Sequence, residues 1–304
     1  MTAEPCEACR SPRTHQVSIR AGLDYVICRS CGHALLVTRG TSMRDIFAAL
    51  QEKYFGQPTV LIDASGGPVE EEVMAKRRLV FGRFVTAPSA VLEVGPGAGS
   101  FLRWAIGEGH RVTAIEDSQA LAGALESITR ASILVGSFED RALTDASQDV
   151  FCSFHVIEHV PDPRAHLAKA ARVVRPGGLA FIATPNAASW QQRLLPTLSP
   201  NFDSAHLRVF SLRSLRALAE EEGWSLVWQE TPEYTHGWLR VLSKALRKFR
   251  GEDEEVTAGK YGIGMSRMTC AVFATLRKLS GPLRAAQSRL LGGNEILIVL
   301  RRDA

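Results

Sequence analysis

Between residues 90 and 117 the chain sets carboxylates and glycines at a spacing suited to holding a small charged ligand. The run Val91-Leu92-Glu93-Val94-Gly95-Pro96-Gly97-Ala98-Gly99-Ser100 carries an acid and then a glycine at every second position, and Glu116-Asp117 follows. Glycine lets the backbone approach a ligand where any Cβ would clash. An acid about 20 residues beyond such a turn can accept hydrogen bonds from both hydroxyls of a ribose. A pyrophosphate cradle prefers G-x-G-x-x-G, but Ser100 stands where its third glycine would fall, and no P-loop lysine follows. Glu93, just before the turn, suits a ligand with an amino group and a positive sulfonium better than one with phosphates. The bland alternative is an ordinary tight turn between strand and helix.

A second chemical cluster lies near the N-terminus. Cys6-x-x-Cys9 and Cys28-x-x-Cys31 are two knuckles separated by residues 10–27. This is the pattern of a four-thiolate zinc ribbon. Zinc at such a site is worth roughly 10–16 kcal/mol, enough to fold a segment with almost no core. With four thiolates closing the site, His15 and His33 are expected at the surface. Cys152 and Cys270 are expected as buried structural thiols.

The elements that would position these residues follow from the apolar periodicity. Strands are expected at 90–95, 111–116, 132–136, 149–154, 178–184 and 225–231, with helices near 98–108, 118–129, 162–174 and 211–222. Arg175-Pro176-Gly177-Gly178 reads as a sharp turn. Alternating strands and helices imply an α/β fold with a parallel sheet covered on both faces. The chain then divides into a zinc ribbon over 1–40, a helical linker over 41–88 and a ligand-binding domain over 89–304. The linker has helical spacing over 42–54 and 70–84, punctuated at 56–58 and 65–68. The closing run Glu295–Arg301 is expected as a final strand.

The 304 residues, 45% hydrophobic and 22% charged, are ample for a full α/β core. The net charge of +4 permits anionic partners without requiring them. There is no signal-peptide pattern and no run of about 18 apolar residues, so a cytoplasmic location is expected.

Residues 70–231 and the last strand resemble the class I S-adenosylmethionine-dependent methyltransferases. That resemblance implies a doubly wound, seven-stranded, mostly parallel sheet, Rossmann-like, whose last strand runs antiparallel. It implies that Glu93, Gly95, Pro96, Gly97 and Gly99 cradle the methionine and ribose parts of S-adenosylmethionine and that Glu116 pairs with the ribose hydroxyls. Asp117 and Ser118 flank the adenine, with Ser137, Phe138 and Glu139 in an adenine-contacting turn. The loop His155-Val156-Ile157-Glu158-His159-Val160-Pro161-Asp162-Pro163 matches the segment after the fourth strand, where His155 also borders the cofactor. His206-Leu207-Arg208-Val209-Phe210-Ser211 matches a segment before the sixth. For O-methylation, His155, His159 and His206 are the candidate general bases, since a neutral imidazole suits removal of a hydroxyl proton. Related ubiquinone-pathway enzymes can hold a divalent cation at positions matching His155, Glu158 and His159. Here His155 replaces the usual acid, and the alternative is that Glu158 caps the following helix.

The acceptor implied is a small molecule, a sugar or a lipid-linked hydroxyl. Zinc-ribbon ribosomal or transfer RNA methyltransferases share the arrangement. The loop lacks the Asn/Asp-Pro-Pro-Tyr pattern used for base amines, so nucleic acid is the weaker partner. A non-catalytic binding module on the same scaffold is the third reading, against which the intact Glu93, Gly95, Gly97 and Glu116 argue. Between the last two strands, residues 232–293 form an insertion. Trp238, Leu239, Leu242, Ala245, Leu246 and Phe249 share one face of a first helix, and Met265, Met268, Val272, Phe273, Leu276 and Leu279 form a second stripe. Basic residues accompany both. They read as helices packed on the core or capping the site, or as a basic amphipathic surface for peripheral membrane contact over 237–292.

Overall fold

The computed structural model describes residues 4–20, 22–46, 48–49, 67–129, 131–250 and 267–304. The punctuation expected at 56–58 and 65–66, Tyr54 and Met265 lie outside the described residues, as does the side chain of Met268.

A small antiparallel sheet near the N-terminus is built from β1 (Thr14–Arg20), β2 (Leu23–Cys28) and β3 (Ala34–Leu36). Helix α1 (Pro68–Phe84) opens with proline in its first turn and leads into the large sheet. That sheet begins with β4 (Ala90–Val94), α2 (Ser100–Gly107), β5 (Arg111–Glu116), α3 (Gln119–Thr129) and β6 (Ser132–Val135). It continues with β7 (Gln148–Phe154), α4 (Pro163–Val173) and β8 (Val174–Pro185). Then come the short α5 (Trp190–Leu194), β9 (Arg208–Val209), α6 (Leu212–Glu221) and β10 (Trp224–Glu230). Helices α7 (Thr235–Phe249), α8 (Arg267–Leu279) and α9 (Gly281–Arg289) precede β11 (Glu295–Arg302).

The large sheet has the order β10-β11-β8-β7-β4-β5-β6. β4, β5, β6, β7 and β8 are mutually parallel, and β11 runs antiparallel to both its neighbours. Side chains alternate across the sheet. Leu92, Val94, Phe151 and Ile298 enter one core, while Val91, Val150, Cys152 and Val299 enter the other. Helices on both faces require strands that are apolar throughout, which is how the sequence reads.

Arg175-Pro176-Gly177-Gly178 is not a turn between elements. α4 ends at Val173 and β8 starts at once. Gly177 takes φ 75° within the strand, where the register against β7 shifts. A Cβ on Gly178 would sit 2.7 Å from Asp149 O, so the glycine pair makes a bulge rather than a stop.

The small sheet has the order β1-β2-β3-β9, so its fourth strand comes from residues 208–209. Ser211 Oγ donates to Cys31 O at 2.5 Å, and Arg208 Nε and Nη2 donate to the Glu7 carboxylate at 2.5 and 3.0 Å. His33, expected at the surface, is 2% exposed; its Nε2 lies 2.7 Å from Glu7 Oε1 and its ring packs on Phe210. The seam between the small sheet and the rest buries it.

Candidate active site

The carboxyl ends of β4, β5 and β7 bring the sequence-predicted residues together, as open parallel sheets do. Glu93 is the penultimate residue of the wholly buried β4 and is 2% exposed. Burial pushes its carboxyl up to about 8, although the charge of Arg77 opposes this. Its Oε2 has no hydrogen-bond partner. Gly95, Gly97 and Gly99 take φ 65°, 54° and 72°. A Cβ on Gly95 would lie 2.7 Å from Val156 Cγ2, and one on Gly99 2.6 Å from Leu125 Cδ2. A Cβ on Gly97 would meet nothing within 4 Å. Thus two glycines admit neighbouring side chains and the middle one faces open space.

Glu116 ends β5, and its Oε1 accepts from Ser118 N at 2.9 Å. Burial raises its carboxyl to about 7. Asp117 rises to about 6, through burial and then the charges of Glu139 and Asp140. Ser137 Oγ donates to Glu139 Oε2 at 2.8 Å, and His166 Nδ1 donates to Glu139 Oε1 at 2.7 Å. Phe138 is 2% exposed, its ring packed on Phe151 and His166.

The three candidate histidines have different surroundings. His155, at φ 58°, donates Nδ1–H to Glu158 Oε1 at 3.1 Å and Nε2–H to Glu295 Oε2 at 2.6 Å. Burial disfavours its charge, but these bonds and the two carboxylate charges outweigh it and lift the ring to about 9. Both ring nitrogens are committed to carboxylates, and at neutral pH neither is bare to take a proton.

His159 donates Nδ1–H to Ala205 O at 2.7 Å, and His206 donates Nδ1–H to Asn201 O at 2.8 Å. A carbonyl can only accept, so Nδ1 carries a hydrogen in each ring, and neutral His159 then presents a bare Nε2. Burial lowers the pKa of His159, against the charge of Glu158. The two rings lie 5.1 Å apart. One ligand atom each from Glu158, His159 and His206 falls within 4.8 Å of the others.

Glu158 is fully buried and accepts from Thr184 Oγ1 at 2.9 Å. Burial acts to raise its carboxyl, yet the His155 hydrogen bond and charge hold it at about 2. It does not cap α4; Asp162 does, accepting from Arg164 N and Ala165 N.

Three further groups complete this corner. Glu295 opens β11, Tyr234 Oη donates to Glu295 Oε1 at 2.8 Å, and Arg77 Nη2 lies 3.8 Å from Glu295 Oε2. Arg77 also covers the ring of Phe154 at 4.5 Å. No spacing in the sequence links these residues. The one available signal is an acid at the head of the apolar run Glu295–Leu300.

The four N-terminal cysteines also converge, each with its Sγ within 4.8 Å of the others. Cys6 and Cys31 Sγ are 3.7 Å apart, and Cys9 and Cys28 Sγ 3.6 Å; all four are free thiols. Zn–S bonds of about 2.3 Å at tetrahedral angles place thiolates about 3.8 Å apart. The cluster therefore has the dimensions of a zinc site.

Residues 69–229, more than half of the chain, match the family model described as "Methyltransferase domain". A probable S-adenosylmethionine-dependent methyltransferase of Mycolicibacterium smegmatis is 30% identical over 148 residues, 48% of this chain and 55% of that protein. A ubiquinone biosynthesis O-methyltransferase of Xanthomonas oryzae pv. oryzae is 33% identical over 150 residues, 47% of this chain and 60% of that protein. The chain thus spans a little over half the length of these curated relatives. Among solved structures, 1,6-didemethyltoxoflavin-N1-methyltransferase of Burkholderia thailandensis is similar with a TM-score of 0.55 at 13% identity. The match covers 96% of this chain and 100% of that one, and it shows a shared fold.

Proposed function

We propose that this chain, which belongs to the methyltransferase-domain family, is an S-adenosylmethionine-dependent methyltransferase that methylates a hydroxyl oxygen of a small-molecule, sugar or lipid-linked acceptor, with His159 as the general base. The observation that carries this reading is the bare Nε2 of His159, fixed by the bond from Nδ1 to Ala205 O.

The residues present fit the cofactor. Glu93 offers an unpartnered buried carboxyl oxygen to an ammonium. Gly97 opens the turn to a close approach. Glu116, held by Ser118 N, presents a carboxyl to ribose hydroxyls. Bound there, S-adenosylmethionine supplies an electrophilic methyl on a sulfonium. The protein's part is to align the acceptor and remove its proton. Alignment lowers the barrier by removing the entropy of encounter. His159 Nε2 takes the hydroxyl proton as oxygen attacks carbon. Glu158 Oε1, 3.9 Å from Nε2, favours the imidazolium that results. His206 presents its Nε2 beside it and orients the acceptor oxygen. His155 and Glu295 form a closed ion pair that holds the loop.

We also infer that Cys6, Cys9, Cys28 and Cys31 bind structural zinc.

His159→Gln should lower kcat by about 10²–10⁴-fold while S-adenosylhomocysteine affinity, read by calorimetry, stays unchanged. His155→Gln should keep the acid limb of the rate profile, because the titrating base is elsewhere. Full activity in the His159 variant across a panel of hydroxyl acceptors would remove His159 from the mechanism. Transfer to amines alone would remove the O-methylation reading.

A further inference from the structure

Helices α7 and α8 repeat one pattern. In α7, Leu242, Leu246 and Phe249 are 56%, 50% and 91% exposed. In α8, Val272, Leu276 and Leu279 are 53%, 36% and 73% exposed. Each trio is spaced i, i+4, i+7, so each helix displays one narrow apolar stripe to solvent. The stripes are not the faces that anchor the helices. α7 buries Gly237, Val241 and Lys244, and α8 buries Phe273. Trp238 Nε1 donates to Gln287 Oε1 at 3.0 Å, tying α7 to α9, and α8 packs against α1, α7 and α9.

Charge accompanies the stripes. Residues 235–294 contain eleven Lys and Arg. Their four acids all fall at 252–255, outside the described residues. Helices α7, α8 and α9 themselves carry no Asp or Glu. Arg247 and Lys248 end α7, and Arg277 and Lys278 end α8. Exposed Leu and Phe stripes flanked by cations and free of acids are what an anionic bilayer surface recognises: apolar side chains enter the acyl boundary and cations meet the headgroups. A protein partner would not require the same stripe on two successive helices, nor helices without a single acid.

We propose that α7 and α8 dock the protein on the surface of an anionic phospholipid bilayer, as an interfacial contact and not a span. No helix among the described residues is long and apolar enough to cross a membrane. This goes beyond the methyl-transfer reading and holds for any acceptor, since it rests on the stripes and not on His155, Glu158 or His159.

The test is co-sedimentation of the full chain with vesicles of phosphatidylglycerol and phosphatidylcholine, against vesicles of phosphatidylcholine alone. Binding should be confined to the anionic vesicles and should weaken steeply with salt as screening shortens the headgroup attraction. Lys248→Gln with Lys278→Gln should weaken binding about fivefold for each cation removed. Leu246→Glu with Phe249→Glu should abolish it. S-adenosylhomocysteine binding, unchanged in every variant, reports an intact fold. Equal binding to neutral vesicles, or none to either, overturns the proposal. So does sedimentation velocity showing a dimer that Leu246→Glu with Phe249→Glu dissociates, because the stripes would then face a second copy. RNA binding lost in the same variants, with vesicle binding retained, overturns it too.

Discussion

Glu93 is a carboxyl that its surroundings keep neutral near pH 7. Burial lifts it to about 8, above the ordinary glutamate value. In the free protein it is therefore mostly protonated at pH 7, and an adjacent ammonium lowers its pKa and expels the proton. Binding of S-adenosylhomocysteine should then release close to one proton at pH 7. The measurable sign is a binding enthalpy that varies with the ionisation enthalpy of the buffer. The release should fade as pH rises above about 8, where the free carboxyl is already ionised. Glu93→Gln should abolish it, and a buffer-independent enthalpy in the unaltered protein would show that Glu93 does not meet the ammonium. The same shift makes stability pH-dependent. The neutral form is fully favoured below the unfolded value near 4.5, and its contribution is lost as pH rises towards about 8. These properties were only half legible. The sequence placed an acid before the glycine turn, but its protonation depends on the surrounding sheet. The same limit applied to His155. Its type and its place just past the fourth strand suggested a base, whereas Glu295, from the far end of the chain, makes it half of an ion pair.

The turn joining β4 to α2 assigns different tasks to its glycines, and substitutions should separate them. Gly95→Ala and Gly99→Ala combine a left-handed backbone with a Cβ pressed against Val156 or Leu125. Each should cost about 2–4 kcal/mol of stability, read as a lower denaturant midpoint. Gly97→Ala meets no neighbour within 4 Å. It should cost only about 1 kcal/mol from its positive φ, yet lose cofactor binding because its Cβ enters the cradle. Normal S-adenosylhomocysteine affinity in that variant would move the cradle elsewhere. At this scale the strands and helices of the large sheet were readable from apolar runs, because burial on both faces leaves an unbroken pattern. The bulge at 177–178 was not, since a glycine pair signals a break whether the chain turns or merely kinks. Strand β9 was also hidden, because two residues are too few to show alternation.

The whole molecule joins its two sheets through β9. The cysteine module pairs with it, and His206 stands two residues before it. Removing metal with a strong chelator should therefore disturb more than the first residues. The melting midpoint should fall by about 20 °C or more, given roughly 10–16 kcal/mol for structural zinc and about 2–4 °C per kcal/mol. Methyl transfer should fall with it, because His206 loses its support. A chelated chain that keeps its midpoint and its metal-free activity would refute the zinc assignment. The shared strand also has a consequence in time. A ribosome delivers the cysteine knuckles first, but the strand that completes their sheet emerges only after residue 208. The large sheet waits longer, because β11 inserts between β8 and β10 and is made last. At about 5–20 residues per second, the first-born module spends roughly ten seconds or more with an open edge. The small sheet cannot be finished until residue 209 has left the tunnel, nor the large one until residue 302 has, so the nascent protein presents unpaired strand edges throughout that interval.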